Sequence, residues 1–95
     1  MGYSGNMQKR LLALSWKDFV TYPAFGSTIM VRAKGYDANK KKWIDKFIKV
    51  DKFNPFDFPQ EDISKELMKH HAKWWFYWLP FNEVESSVFN VKLKV

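Results

Sequence analysis

Trp74-Trp75-Phe76-Tyr77-Trp78 sets five aromatic residues in a row within a chain of 95. As an α-helix the run would spread large rings around the whole circumference, which suits only complete burial. A domain of this length buries somewhat more than ~60% of its unfolded surface and cannot enclose such a helix. As a strand, Trp74, Phe76 and Trp78 share one face, while Trp75, Tyr77 and Leu79 share the other. Aromatic residues favour strands, and Pro80 ends the run. The segment is therefore expected to be a strand with two aromatic rows. A small sheet backed by one or two helices protects one row. The other is exposed, covered by a further element, or buried in an oligomer.

The remaining segments frame that strand. Residues 1–6 are small and polar and are expected to form a loose tail, leaving residues 7–95 as a single compact domain. From Asn6, a candidate N-cap, to Tyr22, the residues Leu12, Trp16, Phe19 and Val20 have helical spacing. The same stretch reads as a strand through Leu12, Leu14, Trp16 and Val20; helix is preferred. Ile29, Val31 and Ala33 alternate with Met30, Arg32 and Lys34, as in a half-buried strand. After a polar loop from Tyr36 to Lys42, "WIDKFIKVDKF" is expected to return as a partner strand, with a helix as the rival reading. "NPFDFP" must be irregular, because each proline restricts the residue before it. Acids Glu61 and Asp62 after Pro59 suit a helix start, with Ile63, Leu67 and Met68 as its buried stripe. "SVFNVKLKV" alternates cleanly, with Phe89, Val91, Leu93 and Val95 on one side and Asn90, Lys92 and Lys94 on the other. It is read as a closing strand.

Charge narrows the class of partner. Sixteen Lys and Arg against ten acids give a net charge of +6, which favours anionic ligands at long range. Fourteen of those cations are lysine. Lysine neutralises phosphate as a point charge, whereas bidentate reading of bases in a duplex relies on arginine. Sequence-specific duplex recognition is thus disfavoured. No apolar run approaches a membrane span, and "LLAL" is too short for the apolar region of a signal peptide. Gly2 is followed by Asn6 where a myristoylation signal requires Ser or Thr. A soluble protein of the cytoplasm is expected.

Motifs for catalysis are missing from the sequence. With no cysteine there is no disulfide framework, thiolate metal site or thiol nucleophile. "GYSG" lacks a spacing residue of the nucleophile elbow. Gly2, Gly5, Gly26 and Gly35 fit neither G-x-G-x-x-G nor a P-loop. His70 and His71 are the two histidines, and Glu66 precedes His70 by one helical turn. A metal centre needs three or four ligands, so a surface Glu66–His70 pair is the better reading. Glu61 and Asp62 suit helix N-terminal charge rather than acid–base chemistry. No enzyme activity, metal or cofactor is expected. "NKKK", Asn39 to Lys42, beside Trp43 reads either as an anion clamp at a hairpin tip or as a solvated turn.

Trp16, then Pro23, Gly26, Ile29 and Val31 within "YPAFGSTIMV", and finally Trp78-Leu79-Pro80 follow a recognisable order. Over roughly Trp16 to Glu83 the chain resembles a small phage domain family with the pattern W…P…G-x-x-V-x-V…H-W-x-P-L-P. Tyr77 stands where the family has histidine, and Phe81 where Leu-Pro is expected. The resemblance implies a phage accessory gene, of a kind that often counters host defence by sequestering signalling nucleotides or blocking a host protein.

Together these readings predict an α+β domain: an antiparallel sheet of four or five strands with one or two helices. A five-stranded OB-type barrel is the alternative if residues 8–22 are extended. The outward positions Arg32, Lys34, Lys92 and Lys94 would share an open sheet face with Trp75 and Tyr77, or with Trp74 and Trp78. Aromatic rings stack bases at ~1–3 kcal/mol each, and cations meet phosphates. The expected function is non-enzymatic binding of a nucleotide-containing anion, with Arg32, Lys34, Lys40, Lys41 and Lys42 on phosphates and Trp43 beside them. A small signalling nucleotide would sit in a pocket between protomers of a homo-oligomer. The alternatives are single-stranded nucleic acid along an open groove, or a host protein docked on the aromatic patch.

Overall fold

The computed structural model describes residues 5–89. Its elements in chain order are α1 (Gly5–Leu12), β1 (Lys17–Asp18), β2 (Ile29–Asp37), β3 (Lys42–Val50), a 3-10 turn (Pro55–Asp57), α2 (Glu61–Leu67), β4 (Ala72–Pro80), α3 (Phe81–Val84) and a π-helical turn (Glu85–Phe89). The strands form one antiparallel sheet in the order β1-β4-β2-β3. This is an α+β fold, and the sheet does not close, so the barrel alternative is set aside. Among the described residues no helix is long and apolar enough to cross a membrane.

Strand β2 is the spine of the sheet. All nine of its residues are in register with both β3 and β4, from Ile29 opposite Val50 and Pro80 to Asp37 opposite Lys42 and Ala72. On one face Ile29, Val31 and Ala33 line up with Trp78, Phe76 and Ile48, and α2 lays Ile63 and Leu67 over them. Phe19, Phe53 and Phe58 complete this layer, Phe19 stacking on Phe58 with centroids 5.2 Å apart. Three aromatic rings from loops thus close what a seven-residue helix is too short to cover.

The opposite face is covered over half its length. Met30 and Leu79 are buried with Leu11 of α1, Val84 of α3 and Val88 of the π-helical turn. Phe47 and Trp16 border this second cluster, with centroids 5.7 Å apart. Neither α1 nor α3 extends over the hairpin end, where Lys34, Tyr36, Trp43 and Trp75 lie. Two hydrophobic layers therefore flank the sheet, the second covering only part of its length.

Gly35 is fixed by this arrangement. It pairs with Trp74, whose indole lies directly on its backbone, so that a Cβ at residue 35 would sit 2.7 Å from a ring carbon. A larger residue forces either the ring or the strand to move. Gly35→Ala is expected to cost about 1–3 kcal/mol, as overpacking of a filled site does. A urea unfolding midpoint equal to that of the parent would contradict the contact.

Several sequence expectations are corrected. The helix after the tail begins by Gly5, so Asn6 lies inside it and does not cap it, and it ends at Leu12. Leu11 is the buried residue; Leu12, expected on the apolar stripe, is exposed. Trp16, Phe19 and Val20 lie beyond the helix, and Lys17–Asp18 adds a short strand. Among the described residues there are three α-helices, where one or two were expected. Strand β2 alternates in burial from Val31 to Asp37 as expected, but Met30, expected to face outward, is covered by the helices of the second layer. It also runs on to Asp37, so Tyr36 belongs to the strand and not to the loop. Met68 is exposed, since α2 ends at Leu67 and its stripe with it. Ser87 to Phe89, read as the start of a strand, are helical. Tertiary context decides there: Val88 reaches the core from a turn. The rest of that expected strand, including Lys92 and Lys94, lies outside the described residues.

Candidate functional site

Alternation along β2, β3 and β4 carries a set of rings and cations to the uncovered half of the second face. Register places Trp43 opposite Tyr36, and Tyr36 opposite Lys73; one step along, Asp45 faces Lys34, which faces Trp75. Tyr36, Trp43 and Trp75 are 40%, 56% and 45% exposed. Their rings touch one another: Tyr36 meets Trp43 edge-on at 5.3 Å, and Trp43 meets Trp75 at 6.1 Å with the planes tilted by 51°. The tilt leaves no slot between the two indoles, so a planar ligand would lie on an outer face and not be sandwiched.

Lysines decorate the rings. Lys34 Nζ lies 5.1 Å from the Trp43 centroid and Lys73 Nζ 5.9 Å from that of Trp75, both within cation–π range. Arg32 behaves differently. Its Nε donates to Asp45 Oδ1 at 2.7 Å, with both side chains largely buried. That ion pair holds the guanidinium against the sheet through its Nε.

Lys40, Lys41 and Lys42 sit at the β2–β3 hairpin tip, next to Trp43, and all three are exposed. Buried Asp37 builds that tip. Its Oδ1 accepts from the backbone N–H groups of Asn39 and Lys40, at 2.9 and 3.0 Å. The N–H of Lys40, above all, holds the Asp37 carboxyl below its ordinary value; burial opposes this and the N–H of Asn39 adds to it. Lys41 takes a positive φ of 54°, and its N–H closes the turn on Asp37 O at 2.7 Å. The carboxylate thus organises a loop that offers three ammonium groups to solvent.

Of the expected site residues, Lys34, Lys40, Lys41, Lys42, Trp43 and Trp75 gather at this end. Tyr77 shares the face but lies opposite Arg32 and Asp18, half-buried and away from the hairpin. Trp74 and Trp78 belong to the covered face, and Trp78 is only 6% exposed. The indole N–H groups separate the two classes. Those of Trp16, Trp74 and Trp78 donate to backbone carbonyls of Leu11, Leu67, and Asp18 and Thr21. A covered N–H needs such a partner; an exposed one has water. Among the described residues Trp43 and Trp75 make no such bond.

Tyr36 and Lys73 were missed by sequence reasoning. Extending the alternation from Arg32 and Lys34 two residues further would have found Tyr36. Extending that of Trp75 and Tyr77 two residues back would have found Lys73.

The histidines do not form the expected pair. Glu66 bonds Lys69 at 3.1 Å, and that bond lowers its carboxyl below the ordinary value. His70 Nδ1 instead lies 4.0 Å from Asp37 Oδ2. Among the described residues no group of three His, Asp or Glu is placed to hold a metal ion.

A cleft of about 350 Å³ opens on the opposite side of β4, lined by Phe19, Tyr22, Phe53, Phe58, Trp74 and Phe76 with neighbouring prolines. It carries no cation. Comparison with protein-family models, with curated proteins and with solved structures finds no match to this chain.

Proposed function

We propose that this protein binds single-stranded nucleic acid on the open half of its sheet, without catalysis. The observation that carries the reading is the contiguous Tyr36–Trp43–Trp75 surface, with Lys34 and Lys73 over its rings and Lys40 to Lys42 at its margin. Each exposed ring offers a π-face to any base, and the lysines supply phosphate neutralisation without base reading. The cations gathered at this end are all lysines, which argues in the same direction, away from bidentate recognition of a duplex.

This surface favours a strand over a small signalling nucleotide. Its rings are exposed and tilted against one another, and the 350 Å³ cleft is not lined by all three. That cleft, on the other side of β4, conversely has no cation among its lining residues to hold phosphates. Within the phage setting that the sequence resemblance implies, a strand binder would act by covering exposed single strands.

The test is a titration of oligothymidylate about eight nucleotides long, within the usual site size, followed by tryptophan fluorescence at several salt concentrations. Log affinity should fall with log salt at a slope of about −3.5, at ~0.7 per phosphate with all five lysines engaged. A cyclic or linear dinucleotide should bind far more weakly. Tight, salt-insensitive dinucleotide binding would favour the pocket reading. No response to either would leave a protein partner as the ligand of the patch.

A further inference from the structure

Strand β1 covers little of its neighbour. It pairs only Lys17 with Trp78 and Asp18 with Tyr77. Beyond Asp18 the chain leaves the sheet plane: Phe19 turns onto the core to stack on Phe58, and Trp78 Nε1 holds the departing loop through the carbonyls of Asp18 and Thr21. Among the described residues the outer edge of β4 from Ala72 to Phe76 consequently has no strand beside it. An exposed edge of unpaired N–H and C=O groups is a template for another strand, and proteins commonly shield such edges. The other sheet edge, β3, is shielded: Lys42, Asp45, Lys46 and Lys49 stud it with charge. The free edge of β4 carries Lys73 and then three consecutive aromatic residues.

A second feature lies against that edge. The 350 Å³ cleft is lined by Trp74, Trp75 and Phe76 in succession, together with Phe19, Tyr22 and Phe58. Successive strand residues point to opposite faces, so a cleft touching all three runs along the strand's side. Recognition by strand addition uses these two parts, main-chain pairing for affinity and a pocket for an alternate side chain.

We propose that the Ala72–Phe76 edge takes up an extended peptide as an added strand. One apolar or aromatic side chain of that peptide fills the cleft, and acidic residues flank it. Charge selects this occupant. Lys73 is the one charged residue of the free edge itself; at the far end exposed Lys17, opposite Trp78, is neighboured by Asp18, opposite Tyr77, and the cleft between has no charged lining residue. A second copy of this chain would bring another +6 against the same lysines. The edge adjoins the sheet face proposed for nucleic acid and shares Trp75 and Lys73 with it, but its main-chain pairing does not depend on that reading.

The test uses the full chain and a panel of capped peptides of about eight residues. These alternate valine with serine, carry Phe, Tyr, Leu or Val centrally and end in aspartates. The expected result is saturable binding by at least one aromatic-centred peptide, with slowed exchange of those amides between Ala72 and Phe76 that point away from β2. N-methylating alternate peptide nitrogens on the pairing side should weaken it by about tenfold or more, since main-chain bonds are lost. Tyr22→Ala, at an exposed position, should weaken the aromatic-centred peptides while leaving the melting temperature unchanged. No binding up to about 1 mM, or equal binding of the N-methylated peptide, would overturn the proposal. Protection of the edge amides in the free protein would also overturn it: at every concentration, this would mean an occupant within the chain; rising with protein concentration, a second copy.

Discussion

Replacing Trp78 with alanine is expected to destabilise the protein by about 3–5 kcal/mol, the usual cost of deleting a large buried aromatic side chain. Two losses combine. The ring is 6% exposed and packs in the main core against residues of β2 and α2. Its Nε1 also donates to the carbonyls of Asp18 and Thr21, at 3.1 and 2.8 Å, which hold β1 and the following loop to the sheet. Domains are stable by only about 5–15 kcal/mol, so the variant should unfold at far lower urea. Trp78→Phe should recover part of the packing and none of the hydrogen bonding. Trp75→Ala, three residues earlier in the same strand, is the counterpart. Its ring is 45% exposed, and stability should change by less than about 1 kcal/mol, as at surface positions. Similar losses for the two variants would contradict the division of β4 into a core row and an open row.

Removing both exposed indoles, Trp43→Ala with Trp75→Ala, should reduce affinity for oligothymidylate by at least about thirtyfold. Each ring that stacks a base is worth ~1–3 kcal/mol, so two account for about 2 kcal/mol at the low end, which is that factor in affinity. The rings contact each other at 6.1 Å, so the single effects should not add simply. Lys34 and Lys73 also lose the rings they overlie, freeing them to reach phosphates and softening the loss. The comparison to make is binding at a fixed salt concentration for the parent, both single variants and the double, beside their urea unfolding curves. Unchanged affinity in a folded double variant would remove the stacking surface from the account.

The sheet was legible in the sequence because its signals are strictly local. Alternation in Ile29–Lys34 and the impossibility of a helix through "WWFYW" each follow from side-chain direction alone. The assignment of Trp74, Phe76 and Trp78 to one face followed with them. Which row faced outward was not legible, since that depends on where α1 and α3 stop. Leu11, Val84 and Val88 bury Met30 and Leu79 and reach no further, a matter of packing between segments far apart in the chain. The closing segment misled for a related reason: Ser87 to Phe89 alternate like a strand, yet Val88 earns its burial from a helical turn. Arg32 was placed on the correct face, but its ion pair with Asp45 was not legible, because Asp45 comes diagonally across from it only once the hairpin register is set. Tyr36 and Lys73 were lost to strand ends drawn too short.

The most direct test of a core row and a binding row in one strand is a two-dimensional proton–nitrogen spectrum of the five tryptophan indoles during titration with oligothymidylate. The indole signals of Trp43 and Trp75, which lack protein acceptors among the described residues, should shift progressively and together with added oligonucleotide. Those of Trp16, Trp74 and Trp78, held by backbone carbonyls, should stay in place. Movement of the Trp74 or Trp78 signals with Trp43 and Trp75 unmoved, or no movement at all, would contradict the account.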